Sequence, residues 1–415
     1  MGKHAMNNTW QYHNFELRSH FQPIYSLAHR RCVGLEALIR TQDGNLPCSP
    51  LELFAMARAR DEEALLDQHC QALHLRNYAE LLLPEQWLFI NVCPPSALAY
   101  PDQQLFWNTL NQLGLAPQRM VMEIIEHASN DPLLLEEQVR EYRTRGALVA
   151  IDDFGAGHSN FDRIWRLQPD IVKLDRSLLV QAREQTRTRH VLGKLIQLIH
   201  GSGALAVMEG VETLDDLHLV FDSGADMVQG FGLAYPAADP RVGLAEGRRK
   251  LNAQLAICAR RSQRNQRLQR QQLERYTSQF TELVSLSRGG TPMHSASEAI
   301  LRLPGVQRCY LLDQDGYQLS HNMAARQSTD DGRFRPMQDA LGASWSRRHY
   351  FKSAIAQPGQ VQVSDPYLSV SDGSMCLTLS CAFNAESGRF LVLCCDLHAA
   401  VLDQSCTLPD IAYGI

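Results

Sequence analysis

No apolar run in this 415-residue chain is long enough to cross a bilayer, so a membrane-spanning protein is not expected. The polar opening from Met1 to Gln11 does not read as a secretory signal. Met6 stands where myristoylation after Met1-Gly2 prefers a hydroxyl side chain. Eleven cysteines form no CxxC pair and keep no regular spacing. A disulfide framework is therefore not expected, and a cytoplasmic protein with reduced thiols is. The formal net charge of −5 offers no general attraction for nucleic acid or an anionic membrane. No glycine-rich phosphate loop supports an open, doubly wound nucleotide-binding sheet. What remains is an ordinary globular composition, 45% hydrophobic and 20% charged, in a chain long enough for more than one domain.

The chain is organised around Ala150-Ile151-Asp152-Asp153-Phe154-Gly155-Ala156-Gly157. The apolar run from Leu148 ends in two adjacent aspartates, as a buried strand does when it delivers side chains to a loop at its carboxyl end. Neighbouring residues on a strand face opposite ways, so both carboxylates share one site only if the backbone turns there. Gly155 and Gly157 permit such a turn. Two crowded carboxylates repel unless a cation sits between them, which points to a divalent metal with oxygen ligands. The alternative is an aspartate pair capping the next helix.

Around this stretch, apolar runs alternate with helical patterns. Phe21–Leu27 and Cys32–Arg40 read as two strands, and the residues between them are too few for a crossover helix, so the pair is expected to be antiparallel. Pro50–Leu83 has helical period. Strands follow at Trp87–Val92, Met120–Glu126, Leu148–Asp153, Asp170–Asp175, Ala204–Glu209 and Met227–Phe231, with helices at Asp102–Leu113, Leu133–Arg145, Asn160–Leu167, Arg187–Ser202 and Leu214–Ser223. Eight strands over roughly 230 residues predict an α/β (β/α)8 barrel of TIM type with an antiparallel first strand. An open doubly wound sheet is the structural alternative.

Barrel enzymes place their sites at the carboxyl ends of the strands. Those ends carry Glu36, Asn91, Glu123, Asp152 with Asp153, Lys173, Glu209 and Gln229. Burying one such group without a partner costs a few kcal/mol, and a shared site accounts for all of them together. The oxygen-rich set suits Mg²⁺ or Mn²⁺; zinc is disfavoured, because no histidine or cysteine stands at these ends.

On the same residues the chain resembles the EAL-type cyclic di-GMP phosphodiesterases. The resemblance runs from Gln22-Pro23-Ile24 and Glu36-Ala37-Leu38 with Arg40, through Asn91, Glu123-Ile124-Ile125-Glu126, Asp152-Asp153-Phe154-Gly155, Lys173-Leu174-Asp175 and Glu209-Gly210-Val211-Glu212, to Gln229-Gly230-Phe231. It implies metal-dependent hydrolysis of cyclic di-GMP to the linear dinucleotide pGpG with two Mg²⁺ or Mn²⁺ ions, inhibition by Ca²⁺, and a homodimer. Carried over by motif, Glu36, Asn91, Glu123 and Asp152 would hold one metal, and Asp152 and Asp153 the second, with Glu209 near it. Lys173 would orient the attacking water, and Glu209 would be the base or a metal-side carboxylate. Glu126 would anchor the loop after Asp153, and Glu212 would support the site from behind. Gln22, Arg40 and Gln229 match substrate contacts. The chain departs from the family at Ala156, His158 and Asn160, where Thr, Tyr and Ser are usual, and in the looser Gly232-Leu233-Ala234-Tyr235-Pro236. A cyclic di-GMP receptor without useful turnover is therefore the second reading.

The boundaries read as a tail over 1–14, the barrel over 15–242, a connector helix over 243–288 and a sensor domain over 289–415. The connector has no proline and, after Gly247, no glycine. Leu244, Leu251, Leu255 and Cys258 keep heptad-like spacing, which fits either a short coiled coil or a linker helix packed on the barrel. Its arginines at 260, 261, 264, 267 and 270 fit a solvated face; binding of nucleic acid or anionic lipid, within a scaffold reading, is the less expected use. The last segment reads as an α+β module on an antiparallel sheet, with strands at Val306–Leu312, Tyr317–Leu319, Gln360–Ser364, Cys376–Phe383 and Phe390–Asp396 and a helix at Tyr350–Ala356. Trp345 with Arg348-His349-Tyr350-Phe351, Ser364-Asp365-Pro366-Tyr367 and Asp396 resembles a PAS- or Cache-type sensor. That resemblance implies a small-molecule pocket near Arg348, Tyr350, Tyr367 and Asp396; the alternative is that these are core aromatics and a structural ion pair.

Overall fold

The computed structural model describes residues 9–43, 46–83, 85–92, 104–125, 132–157, 161–324, 335–337 and 339–402. It divides into two compact units, Met1–Ser262 and Gln263–Ile415. In the first, eight strands close into a barrel: β1 (Phe15–Ser26), β2 (Arg31–Asp43), β3 (Trp87–Val92), β4 (Met120–Ile125), β5 (Leu148–Phe154), β6 (Ile171–Leu174), β7 (Leu205–Met208) and β8 (Met227–Val228). From β2 to β8 each strand is parallel to the next. β1 runs antiparallel to both β2 and β8 and closes the ring, as the short turn after Ser26 requires.

Alternation along the strands builds the barrel in layers. Ile24, Phe89, Val121, Ala150, Ile171, Val207 and Met227 form one buried apolar cluster. β2 has Gly34 at this level, where a Cβ would stand 2.5 Å from the Phe89 ring, so that ring takes the space. The intervening residues, among them Leu88, Ile90, Met122, Val149, Ile151 and Val172, belong to the cluster shared with the surrounding helices.

The helices are α1 (Pro50–Arg58), α2 (Glu63–Glu80), α3 (Gln104–Gln112), α4 (Pro132–Thr144), α5 (Phe161–Leu167), α6 (Arg176–Glu184), α7 (Thr186–Gly201), α8 (Leu214–Ser223) and α9 (Arg241–Arg288). The helical stretch expected over Pro50–Leu83 is in fact two helices. The chain reverses after Arg58 and passes through a left-handed residue, Asp61, at φ 57°. α1 starts from a capping box in which Ser49 and Glu52 satisfy each other's backbone N–H groups. α6 has no counterpart among the helices expected from the sequence, although Asp175 caps it by accepting from Ser177 N at 2.9 Å. Leu251, Leu255 and Cys258 of α9 are buried in the core of the first unit, so their spacing serves packing on the chain's own barrel. The arginines at 260, 261, 264, 267 and 270 are exposed.

In the second unit β9 (Val306–Asp313), β10 (Met375–Asn384) and β11 (Phe390–His398) form the centre of an antiparallel sheet in the order β9-β11-β10, with short strands at the margins. Tyr317–Leu319, expected as a strand, makes only isolated bridges from Gln318 to Leu312 and from Tyr317 to Ser344. One face packs on Phe280, Leu283 and Val284 of α9. The other face packs on α10 (His349–Ala356) through Tyr350, Phe351 and Ala354. Among the described residues no helix is long and apolar enough to cross a membrane.

Candidate active site and metal centre

The layer above the apolar cluster is polar. Two positions beyond Phe89, Val121, Ala150, Ile171, Val207 and Met227 stand Asn91, Glu123, Asp152, Lys173, Glu209 and Gln229; Glu36 follows Gly34 in the same way. On the reversed strand β1 the offset changes sign, and Gln22 precedes Ile24. Lys173 is at the centre, and its ammonium lies 2.6 Å from Glu123, 2.7 Å from Glu209, 2.9 Å from Asp152 and 3.5 Å from Glu36. Asn91 donates to Glu36 at 3.4 Å. The Gln229 amide donates to Glu36 and, at 3.0 Å, to Gln22.

Burial sets the electrostatics. It pushes the Glu123 carboxyl well above its usual range, with Lys173 opposing and Glu36 and Asp152 reinforcing. Burial likewise raises Glu209 and Asp153 against the pull of Lys173. Burial alone would discharge Lys173, but Asp152, Glu123, Glu209 and Glu36 hold it firmly cationic. Several carboxylates thus share one positive charge, and three of them are held in a state that favours taking up a proton or a cation.

The two aspartates do meet; the turn expected at Gly155 and Gly157 is there, both with positive φ, and it begins at Asp153 itself. Asp153 adopts φ 55°, and the β5–β6 register shifts between Ile151 and Phe154. Non-glycine residues adopt this left-handed region at a cost of about 1–3 kcal/mol, most often at functional sites. Asp152, Asp153 and Glu209 each bring an oxygen within 4.8 Å of the others. Glu123 Oε1 and Asp152 Oδ1 are buried and face the Lys173 ammonium at 2.6 and 2.9 Å, while Glu123 Oε2 is buried with no hydrogen-bond partner among the described residues. A buried carboxylate oxygen without a partner, in an all-oxygen donor set, fits a hard divalent cation.

The other expected residues are spread more widely. Arg40 is half-buried, and its guanidinium donates to the Ile39 carbonyl. Glu212 pairs with Arg176 at 2.9 Å. Glu126, His158 and Asn160 lie outside the described residues. The segment carrying Gln229 is seated by close approach, since a Cβ on Gly230 would stand 2.0 Å from the Val211 carbonyl oxygen. Phe231 and Tyr235 follow Gln229 closely, with rings stacked 4.8 Å apart and 46% and 70% exposed. Their signal in the sequence was two aromatics four apart, directly after a site residue. In the second unit Arg348, Tyr350, Tyr367 and Asp396 line one cavity together with Arg308 and Trp345.

The profile of the EAL domain family matches residues 7–236, more than half of the chain. This chain belongs to the EAL domain family. Among its relatives, an uncharacterised protein of Azorhizobium caulinodans is 31% identical over 245 residues, which cover 56% of this chain and 33% of that protein. The probable cyclic di-GMP phosphodiesterase PdeB of Escherichia coli is 28% identical over 54% of this chain and 44% of its own length. The cyclic di-GMP phosphodiesterase RocR of Pseudomonas aeruginosa is 28% identical over 54% of this chain and 58% of its own. This EAL protein therefore matches less than two thirds of each of these relatives. The crystal structure of Bacillus subtilis YkuI, an EAL-domain protein in complex with substrate c-di-GMP and calcium, superimposes with a TM-score of 0.75 over 92% of this chain and 96% of YkuI. The sequence identity is 22%, and the likeness is one of fold across both units.

Proposed function

We propose that this chain hydrolyses one phosphodiester bond of cyclic di-GMP to give pGpG, using divalent cations of the Mg²⁺ or Mn²⁺ class. The observation that carries the proposal is the carboxylate cluster around Lys173, set at the strand ends of an EAL barrel. RocR is a cyclic di-GMP phosphodiesterase, PdeB is named a probable one, and YkuI was crystallised with the dinucleotide and calcium. Glu36, Asn91, Glu123 and Asp152 would hold one cation, and Asp152 with Asp153 and Glu209 a second. Cations bound there supply charge neutralisation at the phosphate and acidify water.

The chain's own groups do the rest. Lys173 is charged and fixed by its carboxylate partners, so it can orient a water from a known direction. Glu209, its carboxyl raised by burial, is suited to accept a proton near neutral pH. Gln229 donates to both Gln22 and Glu36, which would couple substrate contacts to the cation site. Arg40 suits a phosphate oxygen pair through its planar fork of donors. The stacked rings of Phe231 and Tyr235 offer a face for a nucleobase. The second unit, read as a sensor of a small molecule, would regulate turnover through α9, and the working form would be a homodimer.

The test is turnover of cyclic di-GMP by the full chain in Mg²⁺ or Mn²⁺, with Glu36→Ala alongside and binding measured in Ca²⁺. Linear product from the parent alone is expected. Tight binding without product would make the chain a receptor, and turnover retained in Glu36→Ala would remove the site assignment.

A further inference from the structure

The three carboxylates of the second cation site come from two strands that are not neighbours. Asp152 and Asp153 end β5, Glu209 directly follows β7, and β6 runs between them with Lys173. Past its carboxylates each strand turns through a glycine at positive φ, Gly155 at 103° and Gly210 at 66°. Both glycines are covered by one short segment, the cap and first turn of α6. A Cβ on Gly155 would stand 2.6 Å from Leu178 Cδ1, and a Cβ on Gly210 would stand 2.5 Å from Arg176 Cβ and 2.8 Å from its Cδ. Backbone bonds seat the segment from both sides. Asp175 N–H donates to the Phe154 carbonyl and Glu209 N–H to the Leu174 carbonyl, each at 3.0 Å. The Ser177 hydroxyl reaches the Gly155 carbonyl at 3.4 Å.

The two covers differ in kind. Leu178 offers only an apolar contact. Arg176 lays its stem over Gly210 and carries its guanidinium on to Glu212, two residues further round the same turn, at 2.9 Å. One side chain therefore holds both ends of the turn that follows Glu209. The same turn also meets the segment of Gln229, since Val211 N–H donates to the Gln229 carbonyl at 3.0 Å. Arg176 and Glu212 are 51% and 34% exposed, and an exposed pair adds little to stability. What the contact supplies is direction, because a ligand holds a cation well only where the groups behind it fix its orientation.

We propose that Arg176 is a positioning residue for Glu209. By clamping the turn from Gly210 to Glu212 it sets the direction in which that carboxylate meets Asp152 and Asp153, and with it the affinity of the second cation. Arg176 itself touches neither cation nor substrate in this account. The inference rests on the cation site proposed above.

The experiment is Mn²⁺ titration of the full-length chain followed by electron paramagnetic resonance, in which bound Mn²⁺ leaves the six-line signal of the free ion. Turnover of cyclic di-GMP is measured across the same Mn²⁺ range. The parent is expected to bind two ions per chain. Arg176→Ala removes stem and charge, and should weaken the second ion by about 10–100-fold, the usual effect of losing a group that orients a ligand, while leaving the first in place. Arg176→Lys keeps the stem and a charge within reach of Glu212 and should recover most of that affinity; Arg176→Gln keeps the stem alone and should fall between. The Mn²⁺ concentration for half-maximal turnover should move with the second site, and KM at saturating Mn²⁺ should stay with the parent's, a split that general loosening of the barrel does not produce. Unfolding midpoints in EDTA close to the parent's establish that the variants are folded. Unchanged affinity for the second ion in Arg176→Ala overturns the proposal, and so does an equal loss at both sites or a parent that binds fewer than two ions. A parent that binds two ions without forming product removes the hydrolase reading, and the Mn²⁺ titration still decides this one.

Discussion

Replacing Lys173 by methionine would keep most of the side chain's length and remove the one positive charge at the centre of the barrel. Glu123, Glu209, Asp152 and Glu36 would then face one another, with Glu123 fully buried. Removing one partner of a buried ion pair costs about 3–5 kcal/mol, because the remaining charge has no compensation. For a unit of this size each kcal/mol moves the melting midpoint by about 2–4 °C, so the barrel transition should fall by roughly 6–20 °C in EDTA. A divalent cation offers the carboxylates another counter-charge, and at a hundredfold excess over its dissociation constant it should restore about 2.7 kcal/mol. The deficit should also shrink as the pH falls, since the carboxylates can take up protons instead. Thermal unfolding of parent and Lys173→Met, with EDTA and with excess MgCl₂, reads all three effects. A variant as stable as the parent in EDTA would refute the account of Lys173 as an internal counter-ion, and no response to Mg²⁺ in either protein would refute the cation site.

Three further predictions rest on single contacts. Burial pushes the imidazole of His74, which bonds to Ser19 at 2.8 Å, down to about 3. The unfolded chain therefore takes up the proton first, and this contribution is complete above about pH 6.5 and lost by about 1.4 kcal/mol per unit as the pH falls towards 3; His74→Gln should flatten the slope in denaturant titrations, and an unchanged slope would contradict it. The Tyr25 hydroxyl is buried without a partner, and a Cβ on Gly247 would stand 1.9 Å from it. Tyr25→Phe should be neutral or stabilise by about 1 kcal/mol, and Gly247→Ala should destabilise by about 1–3 kcal/mol, with equal midpoints for the two variants counting against this packing. Phe231→Ala with Tyr235→Ala should raise KM for cyclic di-GMP more than it lowers kcat, by a factor of about five or more if one stacked base contributes about 1–3 kcal/mol; an unchanged KM would remove the rings from the substrate site.

Most of the barrel was readable because its strands are apolar runs cut off by a polar residue, and that residue stands two positions above the inner apolar layer. The same rule marks Asn91, Glu123, Asp152, Lys173, Glu209 and Gln229 in the sequence alone. It does not reach Gln22, which lies ahead of its apolar partner because β1 runs the other way; only the motif resemblance drew attention to it. The break after Arg58 was hidden because α1 and α2 both present apolar residues at helical spacing, and the left-handed residue between them is an aspartate, where a glycine would have announced the turn. The same holds for Asp153: the turn expected at Gly155 is there, with φ 103° at that glycine, but it begins two residues earlier, at an aspartate in the left-handed region. α6 is short and follows its cap directly after a strand, so its period had too few residues to show.

The antiparallel first strand also bears on how the site comes together in time. Gln22 and Glu36 are direct partners in the β1–β2 register, joined by a hairpin rather than by a crossover helix. Local pairings of this kind close short loops, whereas each later strand must wait for a helical excursion to return. Two residues proposed for different duties, Gln22 for substrate and Glu36 for a cation, therefore belong to the lowest contact-order part of the barrel. Pulsed hydrogen exchange during refolding should find the amides of 15–43 protected no later than those of β5 to β8. The rest of the site would then be added to a hairpin that already holds the first amide and the first carboxylate side by side.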